Sequence, residues 1–242
     1  MDHPEASADA TADVTTNDGC VGYCNCLTTT HLLCQDFDGD GGLLGPFSTI
    51  TSQGDASSQL DTTRFASSPR SATFTYDPFS IDGGWEGNAL EYSTPLLASS
   101  ITAEAKLFLP ARPAFGNFET IDFEFPGWEI NYVIESSQEI LSIGCYPPCV
   151  KNAADAGPGY TTYPLQLQLP VNKWIDVKVM VTLGASFGLD VYYDGTLAAS
   201  VPANAFTIPK QEPQFFIGAD FASGSAPAFE VGVDDVTFDE SP

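Results

Sequence analysis

Glu119, Asp122 and Glu124 stand close together in the chain. Paired carboxylates are the equipment of glycoside hydrolysis, which in its retaining form needs a nucleophile and an acid about 5–5.5 Å apart. Residues i and i+2 of a strand share a face, with Cα atoms about 6.6 Å apart. Asp122 and Glu124 meet that condition. Glu119, three residues before Asp122, falls on the opposite face of a regular strand. A bulge would bring it back, but nothing in the sequence demands one. Polar side chains along an exposed strand face are the plainer reading of all three.

A second set of residues suits a saccharide, which needs apolar rings for its CH faces and acceptors for its hydroxyls. Trp85 sits in Asp82-Gly-Gly-Trp-Glu-Gly, a run with turn chemistry. Trp128 follows Pro126-Gly127 at an expected hairpin, beside Glu129 and Asn131. Tyr160 and Tyr163 lie in a Gly-, Pro- and Thr-rich stretch that reads as an exposed loop. Asp122, Glu124 and Asn131 are the expected polar contacts.

Other schemes fare worse. The histidines are His3 and His31, and the nearest hydroxyls to His31 are Thr28, Thr29 and Thr30, so a Ser-His-Asp triad has little to draw on. Asp36, Asp38 and Asp40 before Gly41 resemble the start of an EF-hand loop, but its twelfth position is Phe47 where a bidentate Glu is required. Cys145-Tyr-Pro-Pro-Cys149 has the wrong spacing for a redox motif and reads as a stapled loop.

Eight Lys plus Arg against 32 Asp plus Glu give a formal charge of −24. Such a surface lacks the basic footprint that nucleic acid requires, and an anionic membrane repels it. No apolar run approaches the roughly 18 residues of a membrane span. Cys20, Cys24, Cys26, Cys34, Cys145 and Cys149 make an even set without zinc-knuckle spacing. They point to disulfides in an oxidising compartment, with the pairing left open.

These residues must be positioned by strands. Residues 1–26 read as a polar tether carrying cysteines, because its large apolar side chains are too few to offset the entropy of ordering. No basic, apolar signal peptide opens the chain. Residues 27–242 read as one all-β domain. Ile101, Ala103, Ala105 and Leu107 alternate with polar neighbours, as do Ile121 and Phe123. So do Ile175, Val177, Val179 and Val181, and then Leu189 and Val191 before the turn Asp194-Gly195. Period two without an intervening helical pattern predicts an antiparallel sandwich or barrel. Its expected core includes Ile121, Phe123, Ile175, Val177, Val179, Val191, Val233 and Phe238. Val231 and Val233 have one parity, Val236 and Phe238 the other, which predicts a bulge at Asp234-Asp235.

The segments Trp174-Ile-Asp-Val-Lys-Val-Met-Val and Leu189-Asp-Val-Tyr-Tyr-Asp-Gly-Thr-Leu resemble the strand pair of laminin-G-like and other concanavalin A-like domains. Val233-Asp-Asp-Val-Thr-Phe is similar to their last strand, and Cys34-Gln-Asp-Phe-Asp-Gly to their first. The resemblance covers about residues 32–240 and implies a two-sheet antiparallel jelly roll. It also makes Trp174 a packing residue at a strand end. It implies structural Ca²⁺ between the first and last strands, held by Asp38 with Asp234 or Asp235. Glu119, Asp122 and Glu124 resemble the acidic strand of laminarinase-like glucanases, though the first spacing departs from that pattern. Three functions follow as expectations. The first is an exported or surface-tethered carbohydrate- or surface-binding module stabilised by calcium. The second is a structural or adhesive domain with protein partners. The third is a glycan hydrolase or lyase using Asp122 and Glu124.

Overall fold

The computed structural model describes residues 22–39, 41–77, 79–146, 159–203, 205–226 and 228–242, with the side chains of 49–53, 79–86 and 223–226 excepted. The segment 1–21, including Cys20, and residue Cys149 lie outside the described residues.

Two antiparallel sheets face each other. In the first the order is β13 (Thr196–Val201), β12 (Gly188–Tyr193), β11 (Trp174–Thr182), β6 (Ser100–Phe108), β15 (Phe229–Ser241), β4 (Ser71–Tyr76) and β3 (Ser57–Asp61), and β1 (Leu33–Gln35) also pairs with β15. In the second the order is β10 (Gly159–Pro164), β9 (Glu139–Cys145), β8 (Trp128–Glu135), β7 (Asn117–Phe125), β14 (Gln214–Ala226), β5 (Phe79–Ser93) and β2 (Thr49–Gln53). The one helix among the described residues is a single turn, Tyr23–Cys26. Runs of consecutive strands (β11 to β13, β3 with β4, β7 to β10) are joined to strands from distant parts of the chain (β6 with β11 and β15, β14 with β5 and β7), which is the antiparallel jelly-roll sandwich.

The alternation in sequence becomes the alternation in burial. Ile101, Ala103, Ala105 and Leu107 of β6 are buried, and they pair in register with Val181, Val179, Val177 and Ile175 of β11. All eight residues expected in the core are there. Phe215 bridges the sheets, its ring centroid 5.6 Å from that of Phe123 on its own sheet and 5.1 Å from that of Phe238 opposite. Each such fully buried side chain contributes about 1.5–3 kcal/mol.

The parity break in the last strand is a bulge. The register of β15 on β6 shifts between Asp234 and Thr237, and Asp235 takes φ +49. Val231, Val233, Val236 and Phe238 are consequently all buried. On the same strand β1 pairs Leu33 with Phe238 and Gln35 with Val236. The chain before β1 is tied down by the Cys24–Cys34 disulfide and by His31, whose Nδ1 lies 2.5 Å from Asp239 Oδ2. Cys26 and Cys145 are also disulfide-bonded, and no described cysteine is free.

Candidate functional site

The hairpin of β7 and β8 builds the centre of the site. Pro126-Gly127 forms its two-residue turn, with Gly127 at φ +81, a conformation that glycine adopts without strain. That turn closes on the pair Phe125–Trp128 and fixes the pairs Glu124–Glu129 and Asp122–Asn131. On the far side of β8, Glu129 pairs with Gly144 and Asn131 with Ser142, and Gly144 in turn pairs with Tyr160 of β10. The outer face of the second sheet thus carries a row Glu124, Glu129, Gly144, Tyr160.

Gly144 is what makes the row fit. A Cβ there would come within 2.9 Å of the Tyr160 ring and 3.2 Å of the Tyr146 ring. With only hydrogen at that place, both rings lean over Gly144 toward Glu129. Tyr146 Oη and Tyr160 Oη donate to Glu129 Oε2 at 2.8 and 3.0 Å, and Asn131 Nδ2 donates to Glu129 Oε1 at 2.9 Å. The two hydroxyls also meet each other, so their two protons are shared among these three contacts. Burial, aided by the Glu129 charge, holds both phenols in their protonated, donating form, that of Tyr146 pushed up to about 12.

The expectation that Glu119 faces away from Asp122 is overturned. The register of β7 on β8 shifts between Glu119 and Ile121, so Thr120 is the extra residue of a bulge. Opposite it, β14 bulges between Ile217 and Phe221, the stretch that contains Asp220. Glu119, Asp122, Glu124, Glu129 and Asp220 now interact. Burial first, then repulsion from Glu129 and Asp220, pushes the Glu119 carboxyl up to about 9. Burial followed by repulsion from Glu124 and Glu129 pushes Asp220 up to about 7. Asp122 is 1% exposed and is held well above the usual carboxylate range by burial and by its acidic neighbours. Burial and Glu129 raise Glu124 as well. The charged groups acting on these four are all carboxylates. Asp122 is therefore no solvated tooth on an exposed face, and Glu124 alone of the β7 trio is exposed.

Beyond Glu124 the face opens into a groove of about 410 Å³, lined by Ser93, Glu124, Phe125, Glu212 and Gln214.

The aromatic residues divide. Tyr160 is 51% exposed and belongs to the site. Trp128, expected on the surface, is 3% exposed and sets its edge against Phe206 at 5.9 Å. Its neighbour Glu129 has the opposite parity, so one of the two had to point into the core. Tyr163 likewise packs on Phe206, at 6.4 Å. Both tyrosines lie in strand β10, not in a loop. Trp85 lies in β5, not in a turn, and its side chain is outside the described residues. Trp174 packs against Phe108 as expected.

Glu129, Asp220 and Tyr146 were not anticipated as site residues. Glu129 was legible: a two-residue turn at Pro126-Gly127 requires it to face Glu124. Asp220 depends on a bulge with no mark in the sequence. Tyr146 depends on which strand β9 joins.

The Asp38 region forms a second acidic cluster at the junction of β1 and β15. Asp38 Oδ1 accepts from Arg70 N at 3.0 Å, while its Oδ2 is buried without a partner. Burial, with repulsion from Asp36 and Asp235, brings this carboxyl up to about 6. Asp235 meets Ser67 Oγ at 2.6 Å and Lys106 Nζ at 3.2 Å. The acceptors of Asp234 are used on the backbone of Ala66, Ser67 and Asp235. Asp38 Oδ2 is thus the orphaned oxygen of this cluster, while both oxygens of Asp235 are engaged. Asp234 instead holds the 66–67 loop.

No protein-family model matches the chain, and no curated protein matches its sequence. Solved structures share its fold. An endo-β-1,4-glucuronan lyase from the fungus Trichoderma reesei aligns with TM-score 0.68 at 13% identity, over 88% of this chain and 96% of that one. The cellulose induced protein Cip1 aligns with TM-score 0.58 at 13% identity, over 86% and 97%. An alginate lyase in complex with an alginate tetrasaccharide aligns with TM-score 0.52 at 10% identity, over 91% and 96%. The likeness shows the fold: a concanavalin A-like jelly-roll sandwich.

Proposed function

We propose that this chain is an exported polysaccharide-binding jelly roll that takes its glycan across the outer face of the second sheet, at Glu124, Glu129, Tyr146 and Tyr160. The observation that carries the reading is the convergence of carboxylates and two tyrosine hydroxyls beside the groove at Glu124. The Tyr160 ring offers an exposed face for a sugar, and its hydroxyl is already tied to Glu129, so little freedom is lost on binding. Proteins of the same fold that act on polysaccharides agree with this reading. The disulfides agree with an exported location, and no helix among the described residues is long and apolar enough to cross a membrane. A glycan array identifies the ligand. Tyr160→Ala should then weaken binding by about 1–3 kcal/mol with the fold intact. Unchanged affinity in that variant sinks the proposed face, and an array without a hit favours a scaffold that contacts protein.

A second reading, cleavage, has its own observation. Carboxylate oxygens of Asp122, Glu124 and Glu129 lie within 4.8 Å of one another, near the spacing of a retaining pair. Glu124, raised and exposed, suits the acid, and Glu129, which only accepts hydrogen bonds, suits the nucleophile. Elimination fits less well, because phenols held protonated are poor bases near neutral pH. New reducing ends that vanish in both Glu124→Gln and Glu129→Gln support hydrolysis. Binding without product in the unmodified chain leaves a binding module.

We also propose structural Ca²⁺ joining the first and last strands through Asp38 and Asp235. Asp38→Asn should lower Tm in calcium and leave it unchanged in chelator. A domain whose Tm ignores calcium lacks this site.

A further inference from the structure

We propose that Asp122, Glu124 and Glu129 hold a hard divalent cation, Ca²⁺, on the outer face of the second sheet, remote in sequence from the Asp38 cluster and independent of it. Their carboxylate oxygens lie within 4.8 Å of one another, close enough for one ion to touch all three. An acidic cluster alone would not carry this. The second observation is Asp122, which is 1% exposed and whose two oxygens meet no amide, hydroxyl or cationic donor, only the neighbouring carboxyl of Asp220. A buried carboxylate without a donor, facing other carboxylates, is costly unless a cation or a proton neutralises it.

Three features favour the cation. Every ligand is an oxygen and the set contains no His or Cys, which suits Ca²⁺ over zinc. Asn131, fully buried and paired with Asp122 across the strands, has a carbonyl oxygen without a partner and offers a neutral ligand. Glu129 is oriented by the Tyr146, Tyr160 and Asn131 donors, as ligating carboxylates are by their surroundings. The ion would leave Glu124 facing the groove, so vacant coordination positions point where the glycan is proposed to lie. A cation there would offset two of the negative charges of this face, on a chain with formal charge −24, and give the oxygens of an anionic sugar a centre to ligate. This consequence deepens the polysaccharide reading, but cation binding is measured without any glycan, so the two fail separately.

The test titrates Ca²⁺ by calorimetry into the full chain after chelator treatment, comparing the unmodified protein with Asp122→Asn, Glu124→Gln and Asp38→Asn. Asp122→Asn should bind one Ca²⁺ fewer, and Asp38→Asn should keep the ion that Asp122→Asn loses. Glu124 is exposed, so Glu124→Gln folds even where a change at the buried Asp122 does not, and it should weaken the same ion. Tyr160→Phe removes an orienting hydroxyl and should cost about tenfold or more in affinity. Terbium bound in place of calcium should emit on tyrosine excitation, and in the Asp38→Asn background that signal should be lost on adding Asp122→Asn. Equal stoichiometry in the unmodified protein, Asp122→Asn and Glu124→Gln overturns the proposal. So does an Asp122→Asn protein that is more stable at neutral pH regardless of calcium, which would show that protons neutralise the cluster.

Discussion

Replacing Glu119 by Gln should stabilise the calcium-free protein at neutral pH, against the usual effect of removing a polar contact. In the unfolded chain this carboxyl titrates near 4.5, and in the fold burial and the charges of Glu129 and Asp220 bring it to about 9. Between those values the folded state holds a proton that the unfolded state has lost. The stability of the fold is therefore fully present below about pH 4.5 and declines as pH rises toward 9, by at most about 1.4 kcal/mol per pH unit. From pH 4.5 to pH 7 that limit amounts to about 3 kcal/mol. Relaxation and partial solvent access reduce it to about 1–2 kcal/mol. The amide is nearly isosteric and cannot ionise, so Glu119→Gln should recover that amount, or about 2–8 °C in Tm at pH 7. Near pH 4.5 the two proteins should melt together. Melting curves from pH 4.5 to 8 in chelator make the measurement, since a bound cation would itself offset the charge. A variant with the slope of the unmodified protein, or one less stable at pH 7, refutes the argument that buried like charge dominates this face.

Gly144→Ala should displace the tyrosine rings from Glu129 and abolish glycan affinity, at a stability cost of about 1–3 kcal/mol for overpacking; an unchanged affinity would show that the ring positions do not matter. Trp128→Ala should cost about 3–5 kcal/mol in denaturant unfolding, because the ring is core packing, and a variant of unimpaired stability would contradict that placement. Cys24→Ser with Cys34→Ser opens a loop of sequence separation 10 and should lower stability by about 2–3 kcal/mol in calorimetry, whereas no change would mean that the segment before β1 adds nothing to the fold.

The all-β class, the core and the bulge at Asp234-Asp235 were legible in the residues. Period-two alternation in β6, β11 and β12 leaves one register that buries every apolar face, and the parity break between Val233 and Val236 has one cheap repair. The pairing of Glu124 with Glu129 was also implied, because a Pro-Gly turn of two residues leaves the strands no other register. The rest of the site belongs to tertiary structure. Glu119 reaches the acidic face only because Thr120 bulges; Phe118 and Ile121 show the same three-residue parity change as Val233 and Val236, but that Phe118 points inward is settled by its packing on Tyr76 and Phe229 of the opposite sheet. Asp220 enters from a strand nearly a hundred residues away, whose neighbour is set by sheet order. Burial of Asp122 depends on β8, β9 and β14 closing around it. Sequence determined which side chains share a face, since the backbone period is local. Only the folded chain decided which faces meet and which charges lose their water, because both depend on contacts between strands far apart in the chain.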